Sequence, residues 1–310
     1  MIKNRNYVLS SDLNPWFSLL LIIAFASIGL ILGNVIGLLF ATFTGDQTML
    51  QLYAAFQTND FSESLKVPLL VYQGLSSFFA FIFFPWLYLR LVEKRRFAIF
   101  FDSDAHNLRP IFMIVLLVIS FMGLNSLIIQ WNMELDFPDF METFARNAED
   151  QAKILTEFLT DFNNPWQFLL GFLVIAILPA IGEEFIFRGL LQNKIQQISK
   201  NAHFAVWLAA IIFGLVHLQF YGVLPRILLG ALFGYLYIWS GSLLMPILAH
   251  LVNNGFTLLM IYLYDSGVTS FNIEEDSNIP YTSVVISIIL TVLLIFYYRK
   301  FYFDREKEIE

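Results

Sequence analysis

The chain has no cysteine among its 310 residues. This absence excludes disulfides, cysteine-ligated metals and thiol nucleophiles from its chemistry. Charged residues are also scarce: they make up 14% of the chain, whereas a soluble globular domain has about 25%. Because so few charged side chains are present, those that interrupt apolar segments are the first candidates for function.

Apolar residues are abundant instead. They account for 58% of the chain and include 34 phenylalanines. This composition predicts an all-α, polytopic integral membrane protein with about eight transmembrane helices, since a span needs roughly 20 apolar residues. The first apolar run is too long for a signal peptide and is interpreted as a retained span. The predicted spans cover residues 16–43, 67–92, 110–131, 165–197, 203–221, 223–240, 243–264 and 281–299.

The spacing of these runs predicts three parts. Residues 1–164 hold three spans and an acidic outer loop. Residues 165–264 form a block of four closely spaced helices, in which the polar residues collect. Residues 265–310 supply the last span and a basic cytoplasmic tail.

The lysines and arginines predict the orientation in the membrane, because cytoplasmic loops carry an excess of them. A cytoplasmic N-terminus places the acidic stretches 131–150 and 271–276 outside. We therefore expect a multi-pass protein of the cell (inner) membrane with both termini in the cytoplasm. This assignment leaves few basic residues outside, namely Lys66, Arg146, Lys153 and Arg226.

Three charges, Glu183, Glu184 and Arg188, interrupt the apolar run that begins at Leu178 and ends before Lys194, in the stretch LPAIGEEFIFRGLLQNK. A charge near the bilayer centre costs roughly 2.5–3.5 kcal/mol on insertion scales, so we expect these residues to have a structural or functional role. Glu184 and Arg188 are four residues apart and are expected to form an internal ion pair. Glu183 has no other cation near it in sequence and is suited to proton transfer.

Two later helices supply further polar groups. Glu183 and His217 are each 17 residues from position 200, where a tight turn is predicted. In an antiparallel pair of helices they would lie at similar depth and face each other. His250 and Asn254 are four residues apart, so they share one face of their helix.

These residue types allow two kinds of hydrolytic chemistry. A carboxylate and an imidazole can deprotonate a water molecule, and an asparagine with a second imidazole can donate hydrogen bonds to an oxyanion. Alternatively, Glu183, His217 and His250 could ligate a divalent metal such as zinc that activates the water. The spacing is not that of the HExxH zinc helix. Purely structural roles are the alternatives. His217 could be a hydrogen-bonded histidine of the core, and His250 and Asn254 could serve only in helix packing.

Three motifs resemble those of the CPBP family of intramembrane metalloproteases, which comprises type II CAAX prenyl endopeptidases and bacteriocin-processing or immunity proteins. The first is EEFIFRG, which resembles EExxxRG; the others are FGLVH, which resembles FxxxH, and HLVNN, which resembles HxxxN. They occur in the family's order within residues 165–264. The resemblance implies that Glu183 is the catalytic glutamate and acts with His217 on the attacking water. It further implies that His250 and Asn254 form the oxyanion hole, while Glu184 and Arg188 organise the site.

The resemblance implies an endopeptidase that cleaves a membrane-associated protein or peptide. It does not decide whether a metal is used. We do not extend the specificity for prenylated proteins from the family to this chain. We expect the lipid bilayer and a protein or peptide substrate as partners, and no nucleic acid. The alternatives are a non-proteolytic scaffold or immunity-type protein that keeps the polar core, and a proton-coupled transporter. The sequence offers no inverted half that would favour the transporter.

Overall fold

A computed structural model describes residues 13–101, 108–273 and 281–309, with side chains over 282–304 in the last range. These ranges contain ten helices and no strand, as the fold class predicted. The predicted cytoplasmic residues 1–12, the side chains of Arg305 and Lys307, and residues 274–276 of the acidic stretch lie outside the described part. The helices are α1 (Pro15–Ala41), α2 (Met49–Thr58), α3 (Glu63–Leu91), α4 (Leu108–Met133), α5 (Asp139–Thr160), α6 (Pro165–Ser199), α7 (Ala202–Leu215), α8 (Phe220–Ser240), α9 (Leu244–Asp265) and α10 (Tyr281–Ile309).

Seven of the described helices are long and apolar enough to cross a membrane: α1, α3, α4, α6, α8, α9 and α10. The remaining apolar helix, α7, has 14 residues. At 1.5 Å per residue it rises about 21 Å, which is less than the roughly 30 Å of a hydrocarbon core. The predicted span 203–221 is therefore wrong in its extent, because its helix ends at Leu215.

The helix termini define two ends of the molecule. At one end α3 and α6 finish together, and Lys194 Nζ lies 2.8 Å from Glu93 Oε1. We call this the basic end, because the exposed residues 94–96 follow α3 here. At the opposite end, Gln167 near the start of α6 donates to Glu63 at the start of α3. We call this the acidic end, because α5 lies here and carries five carboxylates: Asp139, Glu142, Glu149, Asp150 and Glu157.

Two kinds of packing hold the spans together. Gly29 on α1 lies directly on α3, where an added Cβ would come within 2.5 Å of the Phe79 carbonyl oxygen. The central helices α8 and α9 share a core cluster with α4 and α10, in which Leu117, Leu236 and Ala249 are fully or almost fully buried. Helix α9 is thus enclosed by its neighbours, which fixes the position of the polar residues it carries.

Helix α5 corrects the prediction of an acidic loop over residues 131–150. Its apolar residues Leu155 and Leu159 pack into a core cluster with α3 and α6. The buried Lys66 binds the main-chain oxygen of Asp161, just beyond the end of α5. A 22-residue helix is therefore fixed across the acidic end of the molecule.

The first turns of α5 are attached to the start of α8. The Tyr221 hydroxyl donates to Glu142 Oε1 at 3.0 Å, and Arg146 forms an ion pair with the same carboxylate. Partial desolvation opposes ionisation of Glu142, but the hydrogen bonds from Tyr221 and Arg146 outweigh it and hold its pKa below the usual value. The contact between α5 and α8 thus depends on an ionised Glu142.

Candidate active site

Helix α6 carries the first group of candidate residues and is not uniformly α-helical. Two of its segments, Phe172–Ile177 and Phe185–Gln192, are π-helical. A π-helical turn is wider than an α-helical one, and such turns are frequent at functional sites. Asn193 donates to the carbonyl oxygens of Arg188 at 3.0 Å and Gly189 at 2.8 Å, so the distorted turn keeps its hydrogen bonds.

The expected ion pair between Glu184 and Arg188 is present. Arg188 Nη1 lies 2.7 Å from Glu184 Oε1, and both side chains are buried. Arg188 Nη2 donates to the Gly230 carbonyl oxygen of α8 at 2.9 Å. The guanidinium also contacts the rings of Phe213 and Phe233, at 4.7 and 5.5 Å from their centroids. Arg188 is therefore a fixed element that connects α6, α7 and α8.

His250 contacts both glutamates of α6. Its Nδ1 lies 2.8 Å from Glu184 Oε1, and its Nε2 lies 4.0 Å from Glu183 Oε2. The ring stacks on Phe233 with centroids 5.3 Å apart. Because a carboxylate can only accept a hydrogen bond, Nδ1 carries the proton in this contact. This contact was not expected from the sequence, which paired Glu184 with Arg188 alone.

His217 lies in the turn that follows α7. Its Nδ1 is 2.7 Å from the Phe213 carbonyl oxygen, so Nδ1 carries the proton and Nε2 is left as an acceptor. The next residue, Leu218, has a φ of +54°, which sharply reverses the chain. The sequence placed His217 inside a helix, at a depth counted from position 200. Instead, the short helix α7 ends two residues before His217, and the turn that follows carries His217 to that depth.

The asparagines of α9 lie on the same side as His250. Asn254 Nδ2 is 3.4 Å from the Ile175 carbonyl oxygen in the first π-helical segment of α6, and Asn254 Oδ1 accepts from Asn253 at 3.0 Å. The contact to Ile175 is long for a hydrogen bond. The Asn254 amide is therefore oriented by its neighbours while its N–H groups remain weakly engaged.

A cavity of about 1300 Å³ brings these residues together. Its walls come from α4, α5, α6, α8 and α9, and from the turn after α7. Glu184 and Arg188 do not line it and lie behind His250. Four of the six predicted site residues line it, namely Glu183, His217, His250 and Asn254.

The side of the cavity that faces α5 carries charges that sequence reasoning did not connect to a site. Arg226, in the second turn of α8, also lines the cavity and interacts electrostatically with Glu183 and His217. The charge count had placed Arg226 in an outer loop. Its position at the start of the predicted third helix of the block, 223–240, was the signal that could have identified it.

The predicted metal ligands were compared with the donor geometry. His250 uses Nδ1 for Glu184, and its Nε2 is 4.0 Å from Glu183. In the part of the chain that the structure describes, no group of three His, Asp or Glu side chains is arranged to hold a metal ion. The use of a metal by Glu183, His217 and His250 stays a prediction.

The comparisons with known proteins cover this same region. Residues 165–256 match the family model "Type II CAAX prenyl endopeptidase Rce1-like". A Bacillus subtilis (strain 168) protein named "Putative membrane peptidase YdiL" is 33% identical over 91 residues. Both findings support the resemblance of this part of the chain to the CPBP family.

The alignment with YdiL spans 29% of this chain and 37% of that protein's length. No solved structure matches the chain. Within the CPBP segment, which we define as residues 165–256, lie all six predicted site residues and Arg226. The division of the whole chain into residues 1–164, 165–264 and 265–310 stays a prediction, since helices from all three parts pack together.

Proposed function

We propose that the chain is an intramembrane endopeptidase that hydrolyses a peptide bond in a membrane-associated protein or peptide. The observation that carries this proposal is the pairing of two acceptors in one cavity, the carboxylate of Glu183 and the unprotonated Nε2 of His217. Each has a lone pair that can accept a hydrogen bond from a water molecule, orient it and take its proton. The match of the CPBP segment to a family model described as an endopeptidase supports the same reaction.

In this mechanism a water molecule binds between Glu183 and His217. One water proton passes to the Glu183 carboxylate as the oxygen attacks the carbonyl carbon of the substrate. The tetrahedral intermediate then collapses, the C–N bond breaks, and the proton held by Glu183 passes to the leaving amine. His217 orients the water through Nε2 and is held in that tautomer by the Phe213 carbonyl.

His250 and Asn254 are placed to stabilise the negative oxygen of the intermediate. Since His250 donates through Nδ1 to Glu184, its Nε2 becomes a donor only when the ring is an imidazolium. Asn254 supplies a second donor by giving up its long contact to Ile175.

Glu184 and Arg188 act as positioning residues in this account. The guanidinium holds the carboxylate that holds His250, and neither side chain reaches the cavity. The pair is close to electrically neutral, so it can stay buried without a further counter-ion. A substitution of either residue should therefore affect the reaction indirectly, by changing the position of His250.

We expect peptide cleavage to survive removal of divalent metals, because the donor geometry supports water activation by Glu183 and His217 alone. The measurement is cleavage of a peptide library by the purified chain, before and after dialysis against excess EDTA and phenanthroline. Rates within about twofold are expected. A loss of activity that added zinc restores would instead assign the water to a metal held by Glu183, His217 and His250.

We further propose that the chain lies in the cell (inner) membrane with its basic end, and both termini, in the cytoplasm. The cysteine-free sequence allows a direct check, because a single introduced cysteine is a unique label. In intact cells, Asp150→Cys should react with a membrane-impermeant maleimide, whereas Lys200→Cys should react only after lysis. The reverse pattern would show that the cavity opens towards the cytoplasm.

A further inference from the structure

Arg226 is the exception among the cations that the protein buries. In the part of the chain that the structure describes, three other lysines or arginines are fully buried, and each lies close to a carboxylate oxygen. Lys66 is 3.0 Å from Glu63, and Arg188 and Lys194 lie 2.7 and 2.8 Å from their partners. The half-buried Arg226 forms no such ion pair within the described residues. Glu149 and Glu183 interact with it electrostatically, but neither carboxylate is in ion-pair contact with it, so the guanidinium keeps the capacity to bind a further anion.

The guanidinium of Arg226 is nevertheless held in place. Its Nη2 donates to Gln219 Oε1 at 2.5 Å, and Gln219 Nε2 donates in turn to Glu149 Oε1 on α5 at 3.3 Å. Its Nη1 is buried and has no hydrogen-bond partner among the described atoms. Gly222 leaves the space for this group, since an added Cβ would lie 2.1 Å from Nη1. The protein thus orients a cation through a neutral amide and leaves part of its hydrogen-bonding capacity unused.

The position of this cation relates it to the proposed reaction. Arg226 lines the cavity with Glu183 and His217 and interacts electrostatically with both. A guanidinium binds a carboxylate through two parallel hydrogen bonds, which fixes the position of the bound group as well as attracting it. Resting on the function proposed above, we propose that Arg226 binds a carboxylate of the substrate and sets which peptide bond reaches Glu183. The carboxylate belongs either to an acidic side chain or to the end of the peptide.

Binding separates this inference from the proposed function, because it needs no cleavage. The probe is a labelled ten-residue alanine–serine peptide that carries one central Asp or Asn and ends in a carboxylate or an amide. Anisotropy would report its affinity for the full chain, carrying Glu183→Gln, in detergent micelles. A charged hydrogen-bonded pair is worth about tenfold to hundredfold in affinity, so carboxylate-bearing peptides should bind that much tighter. If amidation of the peptide end abolishes the preference, the carboxylate that Arg226 binds is the terminal one. If replacement of the central Asp by Asn abolishes it, the carboxylate belongs to a side chain.

Variants of the cation complete the test. Arg226→Gln should abolish the preference, and Arg226→Glu should reverse it towards a peptide with a central Lys and an amidated end. Lys153→Gln is the matched control, since Lys153 also lines the cavity but is 3.6 Å from Glu157, and it should keep the preference. Should Arg226→Gln fail to fold, Gly222→Ala displaces the guanidinium while retaining its charge and should weaken the preference.

The inference is overturned if the Glu183→Gln chain binds all four peptides equally, or if Arg226→Gln retains the preference. Neither result would bear on whether the unmodified chain cleaves peptides. Conversely, a chain that lacks all proteolysis but prefers carboxylates through Arg226 would refute the proposed function and keep this binding site.

Discussion

Purified chain carrying Glu183→Gln should lose peptide cleavage by a factor on the order of 10²–10⁴, the usual contribution of a general base. The amide keeps the size of the side chain and its ability to accept a hydrogen bond, but it cannot take a proton from water. His217→Ala should cause a loss of similar order, because it removes the second group that orients the water. Glu183→Gln combined with His217→Ala should be little worse than either alone, since the two residues act as a unit.

The measurement is the rate at which a defined peptide library is cleaved by the chain in proteoliposomes, followed by mass spectrometry. Asp150→Asn is the matched control: it neutralises another carboxylate that lines the same cavity, on α5, and should leave the rate within about twofold. Thermal unfolding of each variant shows whether the fold is intact. Full activity in both Glu183→Gln and His217→Ala would contradict the mechanism.

Replacing Arg188 with methionine should destabilise the protein by about 3–5 kcal/mol, the usual cost of removing one partner from a buried ion pair. The change leaves the Glu184 carboxylate buried, and it removes the hydrogen bond to the Gly230 carbonyl oxygen. It also removes the cation that packs on Phe213 and Phe233. Thermal unfolding in detergent, followed by tryptophan fluorescence, measures this loss.

The double variant Glu184→Gln with Arg188→Met separates stability from catalysis. It removes both buried charges, so most of the lost stability should return. Cleavage should stay about 10²–10³-fold below that of the unmodified chain, since a neutral amide no longer holds the His250 ring through a charged hydrogen bond to Nδ1. A double variant with normal activity would show that Glu184 and Arg188 serve folding alone.

Several features of the fold could be predicted because the bilayer imposes them on the sequence. Long apolar runs predict spans, and seven of the eight predicted runs correspond to helices that are long enough to cross. The helical spacing of Glu184 and Arg188 predicted their ion pair. Four residues apart on α9, His250 and Asn254 were expected to share a face, and both line the cavity.

Other features were hidden for physical reasons. The helix α5 is amphipathic, and an average over its residues is too polar to stand out as a helix of a membrane protein. The end of α7 is hidden because Leu215, Val216 and Leu218 continue the apolar run while the chain turns. His217 and Glu183 line the same cavity, although the helix that was expected to carry His217 ends before it.

The site was predictable to the extent that its groups interact within one helix. The contact between His250 and Glu184 joins residues 66 positions apart, and no local spacing indicates it. Arg226 was assigned to an outer loop because a count of charges places cations at helix ends. Only the packing of α5 and α8 shows that this helix end faces the cavity.

The central claim is that Glu183 drives hydrolysis of a peptide bond in a membrane-associated substrate. Comparison of all peptide termini in membrane and secreted fractions, from cells that express the unmodified chain or Glu183→Gln at equal levels, tests it most directly. We predict a small set of new termini that is present with the unmodified chain and missing with the variant. Identical termini in the two samples, with a phenotype that survives the substitution, would contradict the claim and favour a scaffold that keeps the polar core.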